Sequence, residues 1–129
     1  MSLQASAIML GVADVERAKT FYVEGMGCTI DQDFPGFARL RMGDGSSMLA
    51  LYEWDAVARD AGVSAEGSGF RGVSFHYLTE TRAAVDEALR AAAAAGGTIV
   101  KEAAAAQWGG YDGYFSDPDG YLWKAATNA

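Results

Sequence analysis

Two stretches of this chain follow the same plan. A short apolar run, a capped helix and three further apolar runs occupy roughly residues 5–54, and the same order returns over roughly 70–127. A duplicated βαβββ pattern restricts the fold more than any single motif does. Each half must cover the apolar side of a four-stranded sheet with a helix, which makes the chain α+β.

In the first half "AIMLGV" (7–12) reads as a strand, and Asp14 as the N-cap whose carboxylate accepts the free amides of the next turn. Val15, Ala18 and Tyr22 recur at helical spacing with Phe21 beside them, and Gly25 and Gly27 stop the helix. Strands follow at "CTIDQDF" (28–34), "GFARLRM" (36–42) and "SMLALYE" (47–53), the last two joined by the turn "GDG" (43–45). A connector over 55–69 leads to the second half. There "GVSFHYL" (72–78) is a strand, Thr81 caps a helix with Val85, Ala88, Leu89 and Ala92 on one face, and Gly96–Gly97 end it. The strands "TIVKEA" (98–103), "GYFS" (113–116) and "YLWKAA" (121–126) complete the repeat. Between the last two, "DPDG" reads as a turn, with Asp117 at its first position and Gly120 at its fourth, so Asp117 and Asp119 are turn residues and not metal carboxylates.

Composition narrows the function classes. The chain has 129 residues, half of them hydrophobic, enough for a real core. With 10 basic against 17 acidic residues, the net charge of −7 lacks the basic face that nucleic acid requires. No apolar run approaches the ~18 residues of a membrane span, and "MSLQASAIML" has no basic n-region, so a cytoplasmic protein is expected, with no membrane partner. The one cysteine, Cys28, forms no internal disulfide and reads as a small buried hydrophobe.

"LGVADVERAKTFYVEGMG" and "GGYDGYFSDPDGYLWKAATN" carry a resemblance to the glyoxalase / bleomycin-resistance / extradiol-dioxygenase superfamily, also called vicinal oxygen chelate, over about residues 7–128. The resemblance implies a single glyoxalase-like domain over 1–129. It would have a strongly curved mixed sheet, helices on the convex face, a ligand cavity on the concave face and, commonly, a second subunit completing it. Metal-dependent members bind a divalent ion through His, Glu or Gln, one each from the first and fourth strands of both repeats. Carried over one at a time, these positions fall on Ala7, Leu49, Gly72 and Lys124. Three offer no lone pair and the fourth is a cation, so neither a metal nor another cofactor is expected.

Alternation then gives the expected cavity face: Met9, Leu51, Ser74, His76, Glu53 and Lys124. Lys124 either pairs with a ligand oxyanion, or with Glu53, or extends to solvent from a strand end. His76 is either a general acid or base or a histidine hydrogen-bonded at the cavity wall. In "QWGGYDGY" (107–114), Trp108 and Tyr111 are expected at the pocket mouth, as a lid; the loop also suits a dimer contact or a bulge. Trp54 is a candidate for similar work.

Three functions fit these residues. One is a metal-free small-molecule-binding protein, acting as a homodimer. The second is a metal-dependent lyase or dioxygenase of the same superfamily. The third is a metal-free enzyme using His76, Glu53 or Lys124. An acidic, aromatic-rich chain suits a cationic planar ligand, whereas Lys124 asks for an anionic group on it.

Overall fold

A computed structural model describes residues 1–129 except Leu3, Ser68 and Trp108. The chain divides into two compact units, residues 1–67 and 68–129, one for each repeat. The first contains β1 (Ala7–Val12), α1 (Val15–Thr20), β2 (Thr29–Phe34), β3 (Phe37–Arg41), β4 (Met48–Glu53) and α2 (Trp54–Ala61). The second contains β5 (Ser74–Leu78), α3 (Arg82–Ala94), β6 (Thr98–Ala105), β7 (Tyr111–Ser116) and β8 (Leu122–Thr127). Each unit is a four-stranded mixed sheet, ordered β1-β4-β3-β2 in one and β5-β8-β7-β6 in the other, with a parallel pair on one side and antiparallel ladders across the rest. Among the described residues no helix is long and apolar enough to cross a membrane.

Both expected caps form. The Asp14 carboxylate accepts from the Arg17 amide at 3.1 Å and the Thr81 hydroxyl accepts from the Ala84 amide at 3.1 Å. Each is worth about 1 kcal/mol to its helix. α1 continues into a π-helical turn, Phe21–Gly25, whose wider winding sends two consecutive aromatics inward. Phe21 and Tyr22 are both buried and meet edge to face, with ring centroids 4.9 Å apart. At the "DPDG" turn, one oxygen of the buried Asp117 accepts from the amides of Asp119 and Tyr121, both at 2.9 Å, and the Asp117 carbonyl accepts from the Gly120 amide. That bonding accounts for the aspartate without a metal.

One expected loop is a helix. α2 begins at Trp54, fills the first part of the 55–69 connector and is capped by Gly62, which takes the left-handed conformation (φ 74°) that helix C-termini favour. Glu53 stands at its N-cap without a side-chain bond, so the usual start signal is missing.

The repeat extends to its irregularities. In β2 the ladder to β3 slips between Ile30 and Gln32, and in β6 the ladder to β7 slips at the matching place, between Ile99 and Lys101, and once more between Lys101 and Ala104. "TIDQ" (29–32) and "TIVK" (98–101) are therefore equivalent, each with one bulged residue, Asp31 and Val100. Aligning the two ladders pairs Met9 with His76, Ala7 with Ser74, and Ala50 with Lys124.

Candidate functional site

In the second unit the sheet has one face packed by α3 and one open face, and the register assigns the paired side chains to one or the other. Phe75, Trp123 and Phe115 are cross-strand neighbours on the helix side; Trp123 stacks on Phe115 at 6.2 Å and meets Phe75 at 4.9 Å. Gly113 belongs to that side too, and a Cβ there would stand 2.7 Å from Leu89 Cδ1 of α3. The open face carries Ser74 and His76 from β5, Lys124 from β8, Asp112 and Tyr114 from β7, and Lys101 from β6.

Asp112 is the centre of this face. Only 5% of it is exposed, and a carboxylate so placed needs partners. Lys124 Nζ lies 3.4 Å from one of its oxygens and Lys101 Nζ 3.9 Å from the other. Lys124 also stands 5.8 Å from the Tyr114 ring centre, within cation–π range. Two ammonium groups against one carboxylate leave a single net positive charge on this cluster, in a chain of net charge −7. Beside it a cleft of about 300 Å³ is lined by His76, Thr79, Lys124, Ala126 and Asn128, among others. Ser74 Oγ lies 3.5 Å from His76 Nε2. The arrangement offers an anion an ammonium, an imidazole and hydroxyl or amide groups above an apolar floor, the usual make-up of a small-molecule pocket.

Several expected site residues lie elsewhere. Tyr111 opens β7 on the helix side, donates to Asp86 of α3 at 2.6 Å and has the Arg82 guanidinium 5.1 Å from its ring centre. The strand begins two residues earlier than the glycine-rich stretch suggests. Leu51 is fully buried and level with Leu10, on the opposite side from Met9, because the register of β4 is displaced by one residue from the expected one. The same displacement places Glu53 level with Val12 and away from the Met9 side, so it shares no face with Met9. Met9 itself is on the open side of the first unit, 43% exposed. Trp108 lies outside the described residues.

The register also moves the four metal-ligand positions implied by the resemblance. Gly72 precedes β5 and has φ +80°, so it holds no strand position, and Leu49 lies in the helix-side core. The repeat mates of Ala7 and Lys124 are Ser74 and Ala50. Two methyls, a neutral hydroxyl and an ammonium do not fit a divalent ion. Among the described residues no three His, Cys, Asp or Glu side chains gather where they would hold one. Asp112 was the residue that sequence reasoning missed. Its signal was there, since in a strand it shares a face with Tyr114 two positions on.

Comparison with known proteins agrees with this architecture. A family model described as Glyoxalase/Bleomycin resistance protein/Dioxygenase superfamily matches residues 4–125. A glyoxalase-related enzyme from Fulvimarina pelagi is 30% identical, with a TM-score of 0.85 over 97% of this chain and 88% of its own. A family enzyme from Burkholderia phytofirmans PsJN, 22% identical, superposes with a TM-score of 0.84 over 98% of this chain and all of its own. A lactoylglutathione lyase from Agrobacterium tumefaciens, also 22% identical, gives 0.70 over 94% and 90%. These last two speak for the fold alone. No curated protein sequence matches the chain.

Proposed function

The chain belongs to the Glyoxalase/Bleomycin resistance protein/Dioxygenase superfamily, and from that premise we propose that it binds an anionic small molecule on the open face of its second-unit sheet without a metal ion. The observation that carries the reading is the Lys124–Asp112–Lys101 cluster beside a cleft of about 300 Å³. Lys124 occupies the strand position where metal-dependent relatives are expected to place an electron-pair donor. Here the role of that position is reversed, from donating to a cation to attracting an anion. A ligand carboxylate would bond to Lys124 and to His76, with Asp112 holding the ammonium in place while the cleft is empty.

A second reading, metal-free proton transfer by His76, is favoured by the 3.5 Å approach of Ser74 Oγ to its ring. The binding reading stands above it because the lysine cluster demands an anion whether or not chemistry follows. A homodimer is part of the proposal, and light scattering that finds only monomer removes that part.

The test is thermal melting of the wild-type protein and Lys124→Gln with small aliphatic mono- and dicarboxylates, their neutral amides, and Ni²⁺, Zn²⁺, Mn²⁺ and Fe²⁺. Carboxylates are expected to raise the melting temperature of the wild type and leave Lys124→Gln unchanged. Equal shifts in both proteins would remove Lys124 from the site. Stoichiometric metal in the purified protein would overturn the metal-free assignment and restore the lyase or dioxygenase alternative.

A further inference from the structure

We propose that Lys101 is a positioning residue, which takes over the Asp112 carboxylate when Lys124 turns to a ligand. This rests on the reading of Lys124 as the anion-binding group, and it assigns a role to a lysine that is not among the residues lining the cleft. His76, Lys124, Tyr114 and Lys101 form one row across the four strands of the second unit. The next row, about 7 Å along the strands, is Leu78, Ala126, Asp112 and Ala104. The two lysines thus stand on the strands either side of Asp112, one row away, and the residues level with Asp112 on those strands are alanines. Methyl groups there leave room for both lysine stems to lean toward the carboxylate. Lys101 and Ala104 are three positions apart, yet both belong to these rows because the second slip of β6 falls between them.

The ammonium groups meet different oxygens, Lys124 at 3.4 Å from Oδ2 and Lys101 at 3.9 Å from Oδ1, so neither blocks the other. Lys124 is the closer partner and the less exposed, 21% against 62% for Lys101. Were Lys124 the one cation at Asp112, two obstacles would stand against its binding an anion. The pair would be neutral, with no net charge to attract a ligand. Turning Lys124 toward the cleft would also leave a nearly buried carboxylate unpaired, which is costly. Lys101 removes both. It supplies the single positive charge that a monoanion cancels, and its solvated, flexible stem closes on Oδ1 as Lys124 leaves Oδ2.

The test is titration with butanoate followed by melting temperature, for wild type, Lys101→Gln, Lys101→Arg, Lys101→Gln/Asp112→Asn, Lys124→Gln and Arg90→Gln, each checked for folding by circular dichroism. Binding is expected to weaken at least tenfold in Lys101→Gln, to persist in Lys101→Arg, and to return in the double variant, where Lys124 has no acid to leave. Arg90→Gln removes an exposed positive charge from α3 of the same unit and is expected to bind as wild type does. Unchanged binding by Lys101→Gln, no recovery in the double variant, or equal weakening in Arg90→Gln would overturn the role of Lys101 while leaving Lys124 in the site. Wild-type affinity in Lys124→Gln, or no binding by the wild type, would overturn the Lys124 reading and this inference with it. Urea midpoints test the exchange without a ligand, because Lys124→Gln imitates the departed ammonium. Lys101→Gln should lower the midpoint at least twice as much in the Lys124→Gln background as in the wild type, and an equal loss in both would overturn the exchange.

Discussion

Removing Lys124 is expected to destabilise the protein more than removing the acid it holds. At 3.4 Å and an effective dielectric of about 20, the attraction between Lys124 and Asp112 is about 5 kcal/mol. Desolvating a carboxylate that is 5% exposed cancels most of it. Lys101, 3.9 Å away and 62% exposed, is mostly solvated and adds under about 1 kcal/mol. A coupling of about 1–2 kcal/mol remains, within the range for contacting residues. Lys124→Gln leaves a buried anion with only its distant partner. Asp112→Asn leaves a cation whose long stem can carry its charge outward. For 129 residues, each kcal/mol moves the melting temperature by roughly 4 °C. Lys124→Gln is therefore expected to melt about 4–8 °C lower, Asp112→Asn by less, and the double variant by less than the sum. Urea unfolding of the four proteins measures the cycle. A coupling below about 0.3 kcal/mol, or a greater loss in Asp112→Asn, would refute the reasoning.

Two further outcomes are expected. Gly113→Ala should cost about 1–3 kcal/mol in urea melts, because its methyl would meet not only Leu89 at 2.7 Å but also the backbone of Ala103 and Lys101 at 3.0 Å, which cannot swing aside. The hydrogen bond to Asp86, helped by burial, raises the Tyr111 phenol above the ordinary tyrosine range. Its stabilisation is therefore fully present below about pH 10 and lost as pH rises through the folded-state value. The stability gap between wild type and Tyr111→Phe should hold from neutral pH to about pH 10 and close above it, and a gap that widens in alkali contradicts the assignment.

The parts of this fold that were legible in the sequence are those with a local cause. Asp14 and Thr81 sit where the first-turn amides need an acceptor, and the bonding of the "DPDG" turn follows from its residue types. The register of β4 had no such cause. Met48, Leu49, Ala50 and Leu51 are all apolar, so alternation gave no indication of which pair faced the helix, and a one-residue error moved Leu51 and Glu53 to the wrong side. In β8 the position of Lys124 followed from the resemblance and alternation, and whether its side chain met a ligand or solvent stayed open. Asp112 and Tyr111 were hidden by the glycines around them, which imitate a loop although Gly113 is there to admit Leu89. α2 was missed because no side chain caps its start.

The matching slips in β2 and β6 bear on how such a duplicated chain diverges. A residue at either slip answers to neither the oily side nor the wet side of its ladder, so replacing it disturbs no alternating pattern downstream. In one half that site bears the acid shared by two arginines, while in the other Val100 stands bare and 53% exposed. The backbone thus keeps a position in each copy where the chemistry of a surface can be rewritten by a single codon while the core beneath stays as it was.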